Sequence, residues 1–431
     1  MSGVVLGGIV PRQRLTGGIV LCFSLACLGL SAAPLFAQSF GDAVLLSLSQ
    51  DPRIQAAVTA ARAGDASIDQ VRSAYLPQFS GQTTASRSNR DGENEQGVSR
   101  LEISQNVLNF GRRAADIGVA QEEAGLGWIE VTQVYQDVFT EVAEAYVTVL
   151  EAEEILQRRV GFVEAVAVQI VAVAEKVEAG LADITVLQAL SRQQAEAEVA
   201  RLRATQAVDE ARLVLERLID SVPHTLEPES IAPYLALVPQ NEQDVVFYAG
   251  EGAPEISLAR QRFAITEARI LANNRANTPA LEVYGSYQRG LNLGDDSEQG
   301  EIGFRLDVPI YEGGQRAATR DVGNQQRQEA LRTFQQERLL VEQSARLAWS
   351  EYRVSQQALG IWVDATTTQL ERLEAVQNEL DLGLTEIDAL LEVQSALVEV
   401  QIEQISARYA IVRAQIALLR VMGFASPVAE G

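Results

Sequence analysis

The feature that most constrains this chain is a seven-residue apolar beat held from Trp128 to the end of a stretch spanning residues 112–179. At that interval stand Tyr135, Val142, Val149, Leu156, Val163, Ile170 and Val177. An offset of three adds Val131, Val138, Ala145, Ala152, Val166 and Val173, with only Arg159 charged. Apolar a and d positions sustained in this way specify a long helix in coiled-coil packing. No proline interrupts the chain between Pro77 and Pro223. At about 1.5 Å per residue the rod is on the order of 100 Å long, far more than a globular core needs.

The rod ends in Glu178-Ala-Gly-Leu-Ala-Asp183-Ile, where Gly180 can take a left-handed stop and Asp183 can cap a returning helix over 184–220. About 203 residues later the string recurs as Asp381-Leu-Gly-Leu-Thr-Glu386-Ile. Pro52 keeps this interval with Pro254, Pro77 with Pro279, Gly111-Arg-Arg113 with Gly314-Gln-Arg316, and Leu187 with Leu390. Landmarks at a fixed spacing indicate an internal duplication. The expected plan is a signal over 1–37, a first repeat over 38–220, a linker over 221–253, a second repeat over 254–423 and a tail over 424–431.

The start carries Arg12 and Arg14, an apolar core from Ile19 to Leu30 and Ala32-Ala-Pro-Leu-Phe-Ala37, the layout of a cleaved secretory signal. Cys22 and Cys27 both fall inside it, and Cys27 follows a poor version of a lipoprotein box. The remaining chain has no cysteine, so an exported protein would rely on packing without disulfides. A formal charge of −23 leaves no basic stripe for phosphates, which excludes nucleic acid as a partner.

Between the helical stretches the period changes to two. In Val98 to Val107, Leu101, Ile103 and Val107 alternate with Arg100, Glu102, Ser104 and Asn106. In Ile302 to Ile310, Ile302, Phe304, Leu306, Val308 and Ile310 alternate with Gly303, Arg305, Asp307 and Pro309. Hairpins are expected over 78–108, turning through Asn89 to Glu95, and over 280–311, turning through Gly290 to Gly300. Strands of about ten residues with one apolar and one charged face suit a membrane barrel with lipid outside and water inside. On this reading Leu101, Ile103, Ile302, Phe304, Leu306 and Val308 face lipid, and Arg100, Glu102, Arg305 and Asp307 face the lumen. Four strands cannot close, and an open edge in lipid leaves unpaired backbone groups. Several copies are therefore required, and three would supply about twelve strands.

The linker holds Pro223, Pro228, Pro233 and Pro239, one short helix near Asn241 to Ala249, and His224, the lone histidine. The second half repeats the plan with a helix over Glu255 to Asn274, a long helix over 316–382 and a return helix over 387–422. The long helix keeps Leu331, Ala345, Tyr352, Leu359, Leu373 and Leu380 on its beat, with Arg338 and Thr366 out of character. The last helix is strict: Leu391, Val398, Ile405, Val412 and Leu419.

Duplicated helix-strand-strand-helix halves, the passages Ile103-Ser-Gln-Asn-Val-Leu-Asn-Phe-Gly111-Arg-Arg113 and Leu306-Asp-Val-Pro-Ile-Tyr-Glu-Gly-Gly314-Gln-Arg316, and the two glycine turns resemble the TolC family of outer-membrane factors. The resemblance covers about Phe40 to Gly423. It implies a mainly α homotrimer in the cell outer membrane, with a twelve-stranded transmembrane β-barrel continued by a twelve-helix periplasmic α-barrel. It further implies that Gly180, Leu181, Ala182, Asp183, Gly383, Leu384, Thr385 and Glu386 dock a periplasmic adaptor, or membrane fusion protein, serving an inner-membrane ABC or proton-driven transporter. Family members narrow the tunnel with acids after the second turn. Here Asp388 and Glu392 are the gate candidates, while Ala389 stands where another acid is frequent. The implied role is a passive exit duct for a tripartite efflux pump or a type I secretion system.

Two rival classes are weighed against it. An enzyme lacks support, because the stretch after residue 37 has one histidine, no cysteine, no phosphate-cradling loop and no metal-ligand spacing. No cofactor is expected. A soluble periplasmic coiled-coil scaffold or adaptor would explain the rods but not the alternation in Ile302 to Ile310.

Overall fold

The computed structural model describes residues 39–88, 94–222, 225–290 and 298–424, which fall in one compact unit beginning at Ala37. The segment read as a signal, with Cys22 and Cys27, and also His224 and the chain beyond Phe424, lie outside the described residues.

The chain opens with α1 (Phe40–Gln50), capped by the Ser39 hydroxyl accepting from the Asp42 N–H at 3.2 Å. Asp51 then accepts from the Arg53 N–H at 2.7 Å and starts α2 (Pro52–Ser73), where Pro52 occupies a first-turn position that needs no donor. Strands β1 (Gln78–Ser88) and β2 (Asn94–Leu108) lead into α3 (Arg112–Glu178), which turns back as α4 (Ile184–Ile219). After a 3-10 turn at Pro228–Ile231 come α5 (Ala232–Leu235) and α6 (Glu242–Gly252). The second set is α7 (Pro254–Ala276), β3 (Ala280–Gly290), β4 (Glu298–Asp307), α8 (Gln315–Asp381) and α9 (Ile387–Met422).

Several details depart from the sequence reading. The alternation through Ile310 outruns the strand: β4 stops at Asp307, leaving Val308 and Ile310 beyond it, because Pro309 has no N–H for a ladder. Conversely β2 begins at Asn94, so Asn94 and Glu95 pair with Ser88 and Arg87 instead of forming loop. Trp128, the first a position, stays substantially exposed and donates its indole N–H to Asp65 at 3.2 Å. Leu331, expected on the packed beat of α8, is also exposed.

The four long helices form a layer in the order α4, α3, α9, α8. Along α3 the beat is buried as expected at Val131, Val138, Val142, Ala145, Val149 and Val166, and along α9 at Leu391, Val398, Ile405 and Leu419. The two polar misfits find partners. Thr366 donates to the Gln404 side-chain oxygen at 2.9 Å, and Arg159 is taken by Glu399 across the α3–α9 seam. Three more ion pairs flank the apolar contacts of that seam: Glu154 with Arg408, Glu151 with Arg413, and Asp137 with Arg420.

Towards the sheet, α2 and α7 pack on opposite flanks of α3, and α7 also on α8. The α2–α3 contact is a close one: a Cβ on Gly127 would lie 3.2 Å from the Ala61 Cα, tighter than the backbones could accept unmoved. At the level of the linker, Phe40 packs edge-on against Phe139, Tyr146 and Tyr234, with ring centroids 5.7, 5.5 and 4.9 Å away. The buried Tyr146 hydroxyl donates to the Glu227 carbonyl and accepts from the Glu227 N–H, both at 2.9 Å. These bonds fasten the linker as a cap on one side of the helical layer. A second core joins α6 to α8 and α9 through Val245, Ala249, Ala345 and Leu418.

Candidate functional site

The two helical tips are built alike. Gly180 and Gly383 have φ of +71° and +70°, the left-handed geometry that glycine adopts without strain. At each, the following leucine closes a Schellman turn: Leu181 N–H to the Lys176 carbonyl and Leu384 N–H to the Glu379 carbonyl, both at 2.8 Å. Leu181 and Leu384 are thereby held out in solvent, 79% and 75% exposed. Ala182 and Thr385 follow, half-buried. The acids then differ. Asp183 accepts from the Thr185 N–H and hydroxyl at 2.8 Å, which holds its carboxyl below the ordinary aspartate range, whereas Glu386 makes no side-chain cap. One turn beyond, Asp388 and Glu392 are exposed at i and i+4 on one face of α9, with Leu390, Leu391 and Val393 buried on the other.

At the opposite end the four strands form one antiparallel sheet in the order β1, β2, β3, β4. Its register sorts the chemistry. Phe79 pairs with Ile103, Ile103 with Gly285, and Gly285 with Ile302, while Phe304 pairs with Val283 and Leu306 with Leu281. Residues in register share a face, so Leu101, Ile103, Ile302, Phe304 and Leu306 lie on one side. Ile302 is 87% and Phe304 75% exposed. The other side carries Arg100, Glu102, Arg305 and Asp307. Arg100 donates to the Gln288 side-chain oxygen at 2.9 Å, and Arg305 pairs with Glu282 at 3.1 Å while stacking over Tyr284. The Tyr284 hydroxyl donates to Glu301 at 2.7 Å, a partner that alternation alone did not single out. The outer edges of β1 and β4 are unpaired.

The helical layer has open edges too, at α4 and α8. Each exposes apolar residues that a water-soluble helix would not keep. On α8, Leu340, Leu347, Val354 and Ile361 recur every seven residues and are 46, 62, 59 and 67% exposed. On α4, Val199, Leu202 and Leu213 are exposed. This second α8 stripe was present in the sequence, but the beat facing α9 masked it.

Among the described residues no group of side chains could hold a metal, and no helix is long and apolar enough to cross a membrane. A model of the family described as outer membrane efflux protein matches residues 44–220 and 249–424, one stretch in each half. The chain belongs to the outer membrane efflux protein family. It is 22% identical over 408 residues to the outer membrane efflux protein BepC of Brucella suis biovar 1 (strain 1330), covering 90% of this chain and 81% of BepC. Among solved structures it resembles CusC, at 15% identity and a TM-score of 0.76, over 90% of this chain and 92% of that one. It also resembles the open state of the Neisseria gonorrhoeae MtrE outer membrane channel, at 18% identity and a TM-score of 0.71, over 89% of each chain.

Membership places this efflux protein in the outer membrane, with its long helices in the periplasm, and makes it a channel component of a family that is not enzymatic. The TolC-family resemblance stands, and the soluble scaffold is set aside.

Proposed function

We propose that three copies of this chain close into one conduit, a twelve-stranded barrel in the outer membrane continued by twelve long helices, and that it serves as the passive exit duct of a tripartite efflux pump or type I secretion system. One observation carries the reading: sheet and helical layer are each open at both edges, β1 and β4 above, α4 and α8 below. Unpaired strand edges are not tolerated in lipid, and exposed apolar stripes are not stable in water. Copies arranged around an axis satisfy both at once, joining β4 of one to β1 of the next and α8 of one to α4 of the next.

On this arrangement Leu101, Ile103, Ile302, Phe304 and Leu306 meet lipid and Arg100, Glu102, Arg305 and Asp307 line the lumen. The linker cap lies outside the tunnel, since on the inner side it would fill the passage. The tips at Gly180 to Asp183 and Gly383 to Glu386 meet the adaptor, and Asp388 with Glu392 narrows the entrance. The test is the mass of the protein extracted from outer membranes in mild detergent, together with its conductance in planar bilayers. A trimer that conducts ions supports the duct; a well-folded monomer that needs no detergent overturns it.

A further inference from the structure

On α3, Tyr146 faces the linker cap, and residues two positions away in either direction project roughly 200° from it around the helix. Those residues, Glu144 and Thr148, line a groove of about 660 Å³ between α3 and α4, on the side away from the cap. Its floor is largely apolar, and Ala145, Ala152, Ala207 and Ala211 leave it open where larger side chains would fill it. Sites for small organic molecules commonly enclose about 300–1,000 Å³ with an apolar lining and few polar groups.

Four carboxylates border this floor: Glu141, Glu144, Glu151 and Glu210. Two are already committed, Glu141 to the Arg53 guanidinium at 2.8 Å and Glu151 to Arg413. Glu144 makes no ion pair among the described residues, and Glu210 accepts only the Gln206 amide at 2.8 Å. Arg217 is the single cation in the lining. Free negative charge over an apolar floor selects the ligand.

We propose that this groove is a binding site for organic monocations with an apolar body, the body resting on the alanine floor and the charge directed to Glu144 and Glu210. The inference rests on the duct reading for one point, that the groove faces the water-filled interior, where such a molecule would meet it in transit. An organic anion of the same shape is rejected, because the same carboxylates repel it.

The test uses the full-length protein in lipid nanodiscs, with empty nanodiscs to subtract membrane partition. Tetraphenylphosphonium and tetraphenylborate have the same shape and opposite charge, and isothermal titration calorimetry reads both. Tetraphenylphosphonium should bind saturably and tetraphenylborate should not. The double substitution Glu144→Gln with Glu210→Gln should weaken cation binding about tenfold or more, and Arg217→Gln should tighten it. Ala207→Trp, at an exposed position on the floor, should abolish binding while the assembly remains intact. Equal binding of the two ions, or cation binding indifferent to the Glu144 and Glu210 substitutions, overturns the site. So does loss of the assembly on Ala207→Trp, which would mean that a sister subunit fills the groove. Conductance of the same preparation separates the two readings: a conducting channel without saturable cation binding sinks the groove alone.

Discussion

Arg159 of the first repeat and Glu399 of the second meet fork to fork, with guanidinium nitrogens 2.6 and 2.9 Å from the two carboxylate oxygens. Arg159 is the one charged residue on the α3 beat, and its side chain is 18% exposed, against 60% for Glu399. Together with the three other ion pairs across the seam, this bidentate pair helps to fix the axial register of α3 against α9. Screening at the exposed carboxylate keeps its energy modest. A double-mutant cycle of Arg159→Met and Glu399→Gln should give a coupling of about 0.5–1 kcal/mol by thermal melting in detergent. Strict additivity would show that the pair contributes nothing.

The exposed stripe on α8 offers a direct handle on assembly. Leu347→Asp with Val354→Asp alters side chains that touch no core in the single chain, so helicity should persist. Burying two unpaired charges between copies costs several kcal/mol, enough to shift the particle from trimer to monomer in size-exclusion chromatography with light scattering. An unaltered trimer would remove α8 from the contact.

Nothing lies within 4 Å of where a Cβ would stand on Gly180 or Gly383. Valine at both positions therefore disturbs the left-handed turn and not the packing. Export of a pump substrate by cells carrying the double variant should fall to background, with trimers recovered at normal yield. Undiminished export would dismiss the tips as docking points.

Asp388 and Glu392 are predicted to hold the entrance narrow and cation-preferring. Carboxylates repeated around a pore attract cations and repel one another. Asp388→Asn with Glu392→Gln should raise single-channel conductance and lower cation preference in planar bilayers. If neither quantity changes, these two acids are a solvated helix face.

Alkaline stability follows from Tyr409. Burial, joined by the Glu154 carboxylate that its hydroxyl contacts at 3.0 Å, pushes the phenol up to about 12 from 10.0. The folded state thus holds this proton more tightly than the unfolded chain does. The resulting stability is complete below about pH 10 and is lost as pH rises towards 12. Tyr409→Phe should flatten part of the decline in melting temperature over that window. An identical decline would contradict the assignment.

Much of this was legible because coiled-coil helices and half-exposed strands are written in periods. The beat in α3, the glycine stops and the alternation from Ile302 to Leu306 each arise from local geometry, so residue order alone exposes them. Less was legible where a partner distant in sequence decides. Arg159 looked like a defect until Glu399 was brought opposite, and the pairing of Tyr284 with Glu301 depends on strand register. The groove bordered by Glu144 and Glu210 needs α4 laid against α3 before it exists. Trp128 kept the period yet stayed exposed, because Asp65 on α2 offers its indole a polar neighbour there.

By itself the sequence determined the parts: which stretches are rods, where they reverse, which strand residues alternate, and that the plan occurs twice. Periodicity is intrinsic to a segment, since side-chain direction follows from the backbone repeat alone. Tertiary structure decided the order α4, α3, α9, α8 and the sheet β1 to β4, and so decided which edges are left open. Within each layer the hairpins are local, and the joins that decide the order, α3 on α9 and β2 on β3, bring together segments far apart in sequence, where side-chain fit and charge pairing, not local propensity, select the neighbour.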